Sequence, residues 1–303
     1  MYRKMTIIIP ALWGFIFAAS VIEVSDTETE FLLQQISPSV LTVSMKTGDL
    51  VAFEDLTDEG EFTRLSLPNF HLSRDVGDPE LPEIHSLIEI PQGSEPRIEI
   101  LSSNYRDYTL EDLGLENPIY PAQPSLSKSQ NPGDIPFTIN SDVYLKNTLL
   151  EKELVSINIE GQLRAIRIAN INIRPVNYNP VEGILRIYTN LEVNIHMEGA
   201  DFAKTEEIKQ VYYSPYFEAI YNQIPNYEPS SRTDDMIGDP VTYVIVANSS
   251  FEGDLDEFIE WKTQKGYHVI VGYTGDIGSS ASAIESYIHN LYNNPEDGVM
   301  PPS

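Results

Sequence analysis

Period-two alternation of apolar and polar side chains runs through this chain from about Ser39 to Gly199 and leaves few architectures open. Val155, Ile157 and Ile159 alternate with Ser156, Asn158 and Glu160. Leu191, Val193, Ile195 and Met197 alternate with Glu192, Asn194 and His196, and Ile98 and Ile100 with Arg97 and Glu99. A strand turns successive side chains to opposite faces, so each run places an apolar face against a core and a polar face in water. Turn residues punctuate the runs at Asp58-Glu59-Gly60, Glu160-Gly161 and Asn179-Pro180 through Gly183. Many short half-buried strands predict an antiparallel, sandwich-like or barrel-like unit.

The rhythm fails twice. Asn117 to Pro136 carries five prolines among Ser, Asn and Gln. Proline lacks the ladder donor, so this stretch reads as a long exposed loop. Pro225 to Pro240 is polar, reads as mobile, and is the best domain boundary. Beyond it the period changes. Tyr243 to Ala247 is a continuous apolar run, as in a strand buried on both faces. A helix is expected over about Glu252–Lys265, with Leu255, Phe258 and Ile259 inward, acids in its first turn, Lys262 and Lys265 in its last, and Gly266 as cap. A strand follows over Tyr267–Tyr273, then a helix over about Ser280–Asn293, ended by Pro295. This is β-α-β-α, the opening of a parallel sheet. Two parallel strands need further neighbours, so more strands are expected to follow Ser303 in the parent protein.

Arg3 and Lys4 precede an apolar run from Met5 to Ala19, and Ala18, Ala19 and Ser20 suit cleavage. The run is shorter than the ~20 residues that span a bilayer, and acids follow it at once, so it reads as a signal peptide. The domain reading is therefore a signal peptide at 1–20, a polar segment at 21–38, a β-rich unit at 39–224, a linker at 225–240 and the incomplete α/β unit at 241–303. The fold class is multidomain: an antiparallel β-sandwich-like unit, then the start of a parallel α/β domain.

The net charge of −27 repels phosphate backbones and anionic lipids, which excludes nucleic acid as a partner. No membrane span is expected once the signal is removed. The 303 residues contain no cysteine, which excludes disulfides, thiolate-ligated zinc and a thiol nucleophile within them. There is no glycine-rich phosphate loop, no His-Glu-x-x-His and no Gly-x-Ser-x-Gly. His71, His85, His196, His268 and His289 show no metal-ligand spacing. Asp254, Asp256, Glu257 and Glu260 read as a solvated helix start rather than a calcium site. Trp261 reads as helix-edge packing, and Asn248-Ser249-Ser250 matches a glycosylation sequon. Arg232 is a lone basic residue in the polar linker, where proteases cut, so it is the candidate processing site.

Three segments carry a resemblance. Gly77-Asp78-Pro79-Glu80-Leu81-Pro82 running to Ile90-Pro91, Asn172-Ile173-Arg174-Pro175-Val176-Asn177-Tyr178-Asn179-Pro180 with Gly183 and Leu185–Tyr188, and Tyr243–Ala247 with Phe251, Phe258, Trp261-Lys262, Lys265-Gly266-Tyr267 and Ala283-Ile284 appear in order. Together they resemble the propeptide and the start of the catalytic domain of gingipain-type (family C25) cysteine peptidase precursors. The resemblance implies a secreted or cell-surface zymogen with a caspase-like catalytic domain. It implies a thiolate nucleophile and a histidine downstream of Ser303, so no catalytic residue is assigned here and the chain alone is expected to be inactive. It implies a propeptide that caps its own catalytic domain until the linker is cut at Arg232, with the Pro-rich loop around Lys128 as the candidate inhibitory contact. Protein or peptide substrates belong to the complete enzyme. No cofactor is expected in this segment, although the resemblance allows structural calcium in the complete fold. The alternative is a secreted, non-enzymatic β-rich adhesin or structural protein; the β-α-β-α unit speaks against it.

Overall fold

The computed structural model describes residues 19–26, 28–68, 70–230, 240–296 and 299–302. In chain order the first unit comprises β1 (Ser20–Ile22), β2 (Glu30–Ser37), β3 (Val40–Lys46), β4 (Leu50–Thr57), β5 (Gly60–Ser66), β6 (His71–Leu72), β7 (Pro82–Ile90) and β8 (Glu95–Thr109). The one-turn helix α1 (Ser141–Tyr144) precedes β9 (Val155–Leu163), β10 (Ile166–Ile173), β11 (Val176–Asn179) and β12 (Ile184–Glu198), and the helices α2 (Phe202–Tyr212) and α3 (Glu218–Tyr221) end the unit. Every strand pairing in it is antiparallel.

Strand β12 organises the unit. It pairs along one edge with β8, and along the other with β11 and then β3, which in turn pairs with β2. Its odd-numbered residues face inward. Leu191, Val193, Ile195 and Met197 pack with Leu41, Val43 and Met45 of β3 against Ile84, Ile88 and Ile90 of β7 and Ala169, Ile171 and Ile173 of β10. That face-to-face packing of the β12 sheet on the sheet ordered β6-β7-β10-β9 is a sandwich core. The other end of β12 supplies Leu185 and Ile187 to a second core. They meet Ile22, Leu50, Ala52 and Leu65 of the β1-β4-β5 sheet, together with Ile119 and Tyr178. Each fully buried aliphatic here contributes about 1.5–3 kcal/mol relative to exposure. The alternation read from the sequence is thus the inward face of a β-rich unit.

Several local expectations are corrected. Residues 21–38, expected as a polar lead-in, contribute β1 and β2, and Ile22 and Val24 are buried. Glu160-Gly161 is not a turn: Gly161, at φ 119°, lies inside β9 where the register against β10 shifts, so it forms a bulge. The β9–β10 hairpin turns instead at Arg164, which sits at φ 50°. Residues 119–122, read as exposed loop, are buried, because Thr63, Asp78 and Glu80 supply backbone partners to Pro118, Tyr120 and Ala122. The linker is held at its start: Asn226 exchanges two hydrogen bonds with the backbone of Glu89, and Lys209 Nζ donates to the Glu228 carbonyl.

After residue 240 come β13 (Thr242–Ala247), α4 (Asp256–Gln264), β14 (His268–Tyr273), the one-turn α5 (Thr274–Ile277) and α6 (Ala281–Asn293). β13 and β14 pair in parallel. The first helix starts four residues later than expected, after a 3-10 turn at Ser249–Phe251 capped by Asn248 Oδ1. Gly266, at φ 89°, follows its last turn, and Ser280 Oγ caps α6. The apolar run Tyr243–Ala247 is only half-buried, not buried on both faces.

Candidate functional site

The loop between Gln123 and Thr138 leaves the β-rich unit from a pinched base. Gln123 Nε2 donates to the carbonyls of Pro121 and Thr138, at 2.9 Å each, while its Oε1 accepts the Thr138 N–H at 2.9 Å. Below the pinch, Phe62, Tyr120 and Phe137 form an aromatic trio with ring centroids 5.5–5.8 Å apart, so both limbs of the loop are packed together. The Arg64 guanidinium lies over the Tyr120 ring at 3.5 Å and bonds Asp55 and Glu80. Burial raises the Glu80 carboxyl above its ordinary value, against the pull of Arg64. Tyr144 Oη donates to the Ile119 carbonyl at 2.6 Å, and burial pushes that hydroxyl far above its usual range; burial likewise takes Tyr178 to about 12.

Beyond this base the chain is free of the core. Ser125–Asn131 are all exposed, and Lys128 stands in a turn closed by Gln130 N–H to the Ser127 carbonyl. Gln130 Oε1 also accepts the Ser127 N–H at 2.9 Å. Lys128 is the only Lys or Arg between Arg106 and Lys146 in an acidic chain. The structure therefore presents one ammonium on a compact projection with an immobilised root. Arg232 lies outside the described residues, as do residues 1–18.

Sequence reasoning missed a second arrangement, at Arg164. This residue is 9% exposed, and its hydrogen-bond partners among the described residues are backbone carbonyls. Its Nε donates to the Tyr212 carbonyl at 2.9 Å and its Nη2 to the Pro301 carbonyl at 3.1 Å, and Nη1 donates to the Pro302 carbonyl. Burial lowers its pKa. Its guanidinium lies 5.8 Å from the Tyr292 ring, which stacks on Tyr212 at 5.2 Å, and Tyr216 stacks on Tyr267 at 6.0 Å. Thr242 Oγ1 donates to the Met300 carbonyl. The β9–β10 hairpin and α2 thus hold Pro301, Pro302 and α6 of the second unit. Arginine at positive φ between Leu163 and Ala165 carries no turn signature, and this is why sequence reasoning passed over it.

Topology also joins His71 and His85, which the sequence separated. Their rings lie 5.6 Å apart across β6 and β7, and His85 Nε2 is 3.1 Å from the buried Glu83 carboxylate. The described residues hold no group of three or more His, Cys, Asp or Glu side chains placed for a metal ion. Asp254, Asp256, Glu257 and Glu260 are exposed, and Trp261 lies against Phe258.

Residues 28–224 match the family model Propeptide_C25, and residues 237–302 match that of Peptidase family C25. Lys-gingipain of Porphyromonas gingivalis is 34% identical over 239 residues, covering 78% of this chain and 14% of that protein. Gingipain R1 of the same species is 26% identical over 267 residues, covering 86% of this chain and 26% of that protein. The chain thus spans a minor part of the length of these relatives. Among solved structures, one described as giving structural insight into zymogenic latency of gingipain K from P. gingivalis aligns with TM-score 0.56 and 28% identity, over 60% of this chain and all of that one. A complex of P. gingivalis RgpB pro- and mature domains aligns with TM-score 0.51 and 22% identity, over 64% and 95%, a likeness of fold alone.

Proposed function

Because this chain belongs to the gingipain-type family C25, as its propeptide followed by the start of its peptidase domain, we propose that it opens the zymogen of an exported cysteine endopeptidase and that its β-rich unit keeps the enzyme latent. The observation that carries the proposal is Lys128, a lone cation on an exposed turn whose root is pinned by Gln123, Thr138 and the aromatic trio. In this reading the Lys128 ammonium enters the specificity pocket of the catalytic domain, and the loop backbone lies across the thiolate that would attack a substrate carbonyl. A pinned loop has already lost its conformational freedom, so less binding energy is spent ordering it. A lysine at this place, with higher identity to Lys-gingipain than to gingipain R1, supports a pocket selective for lysine side chains.

The parallel β13–β14 pair with α4 and α6 supports a caspase-like sheet for the peptidase domain. Arg164 gives the propeptide a second hold on that domain. Arg232 is the processing site, and the apolar run before Ala19 is the export signal; the described residues contain no helix long and apolar enough to cross a membrane.

The test uses the full-length precursor. Lys128→Ala raises the peptidase activity of uncut precursor by about tenfold or more, equivalent to about 1.4 kcal/mol of lost pocket occupancy. Arg232→Ala blocks the cut in the linker. A Lys128→Ala precursor as silent as the wild type refutes the reading.

A further inference from the structure

A basic side chain offered to an endopeptidase is ordinarily a substrate, so a loop that inhibits must resist turnover. We propose that the Gly77–Leu81 turn and Asn140 form a clamp that grips both limbs of the Lys128 loop and keeps its peptide bond from being lost to hydrolysis. The inhibitory meaning of this rests on the reading of Lys128 given above; the clamp itself rests on geometry.

One residue holds both limbs. The Gly77 N–H donates to the Ala122 carbonyl at 2.8 Å, on the way into the loop, and its carbonyl accepts the Asn140 N–H at 2.9 Å, on the way out. Gly77 sits at φ 86°, and a Cβ there would lie 2.9 Å from the Asn140 nitrogen, so only glycine lets the outgoing limb pass this close. The next residues extend the grip. The Asp78 carbonyl accepts the Ala122 N–H and the Glu80 N–H donates to the Tyr120 carbonyl, both at 2.8 Å, and Pro79 bridges Pro121. Asn140 Nδ2 donates to Asp78 Oδ1 at 2.8 Å. Lys152 Nζ, shared with Asp75, lies 3.0 Å from Asp78 Oδ2 and fixes the carboxylate from the other side.

The chemistry follows from holding two ends. Attack of an enzyme nucleophile on the Lys128 carbonyl expels the Ser129 amine, which takes a proton, and leaves Lys128 as an acyl group on the enzyme. Water then releases the Lys128 carboxylate, or the Ser129 amine attacks the acyl group and restores the peptide bond. In a free peptide the amine diffuses away and water wins. Here the limb bearing Ser129 is tied at Asn140 to the same turn that ties the limb bearing Lys128 at Ala122, and at Thr138 to Gln123 of that second limb. The amine stays at high effective concentration, and re-formation competes with hydrolysis.

The test is the 303-residue chain, wild type and variants, treated under native conditions with a lysine-specific endopeptidase, with the fragment ending at Lys128 followed by mass spectrometry. Wild type is cut after Lys128 at least about tenfold more slowly than the same chain denatured, and Asn140→Ala recovers most of that difference, because a loosened limb lets the Ser129 amine leave before the bond re-forms. Asp78→Asn keeps Oδ1 as the acceptor for Asn140 and stays within about twofold of wild type. Gln123→Ala, which loosens the upper pinch, serves as the second fast variant if Asn140→Ala melts early. Wild type cut as fast as the denatured chain, or both loosened variants cut no faster than wild type, overturns the clamp. If the clamp results hold while a Lys128→Ala precursor stays latent, the clamp stands and the inhibitory reading falls.

Discussion

At the scale of single residues, burial decides which charges matter. Glu89 and Lys209 form a pair 2.5 Å apart, each about one-tenth exposed, between β7 and α2. Lys209 also bonds the Glu228 carbonyl and lies 5.3 Å from the Tyr227 ring, so it ties the linker's start to the unit. Removing one partner leaves an uncompensated buried charge. Lys209→Met should cost about 3 kcal/mol, read as a lower urea midpoint at unchanged slope. The pH dependence has a definite sign. Burial raises the Glu89 carboxyl above its ordinary 4.5, more strongly than Lys209 lowers it. The folded state therefore holds this proton more tightly than the unfolded state, and the Glu89 contribution falls as pH climbs from about 4.5 through the higher folded value. Glu89→Gln should flatten that limb of the stability curve. Asp107 works the other way: its bond to Arg186 lowers its pKa, so its small contribution fades as pH falls. Glu89 and Lys209 were illegible in the sequence, since nothing local marks a partner 120 residues away on another element.

Among elements, the Lys128 loop and β12 are opposites. β12 was legible because its alternation reports burial directly: Leu191, Val193, Ile195 and Met197 are all in the core. The loop was legible as a proline-rich break, and Lys128 as its cation, but not its root. The buried stretch Ile119–Ala122 follows Pro118, and its partners come from Thr63, Asp78 and Glu80, far off in sequence. Proline content signals the missing ladder donor; it does not say which carbonyls are accepted elsewhere. Helix α2 escaped for a similar reason. Its apolar residues form no buried stripe, Phe202 and Val211 being exposed, and it is held by Lys209, by Asp201 accepting the Lys204 N–H, and by Thr205 Oγ1 accepting the Gln92 N–H. Because Ser125–Asn131 bury nothing, replacing that tip with a short Gly-Ser turn should change stability by less than about 1 kcal/mol, since loop closure depends only weakly on length. The same replacement in the full-length precursor should abolish latency. Differential scanning calorimetry and a peptidase assay separate the two effects; a large drop in melting temperature would mean that the tip is structural.

For the whole molecule, the question is what keeps the second unit folded. β13 and β14 are the only strands described after residue 240, and both are largely half-buried. A two-stranded parallel pair leaves ladder groups unpaired on its outer edges and apolar side chains in water. The first unit answers part of this deficit through Arg164, the Tyr212–Tyr292 stack and the Tyr216–Tyr267 stack. Arg164 carries the larger share because its guanidinium satisfies three backbone carbonyls at once, on α2 and on residues 301–302. The described contacts are made by residues outside 231–239, so cutting there should leave the two pieces together. After proteolysis in that segment the wild-type fragments are expected to co-elute on size exclusion, whereas residues 241–303 prepared alone should show no cooperative melt. Arg164→Asn is the sharper probe. Asparagine tolerates the left-handed backbone that the hairpin needs, so the turn survives while the bonds to Pro301 and Pro302 are lost. That variant should melt as one unit before the cut and separate after it. Co-elution of the cut Arg164→Asn fragments would show that the aromatic stacks suffice and that Arg164 is not the hold.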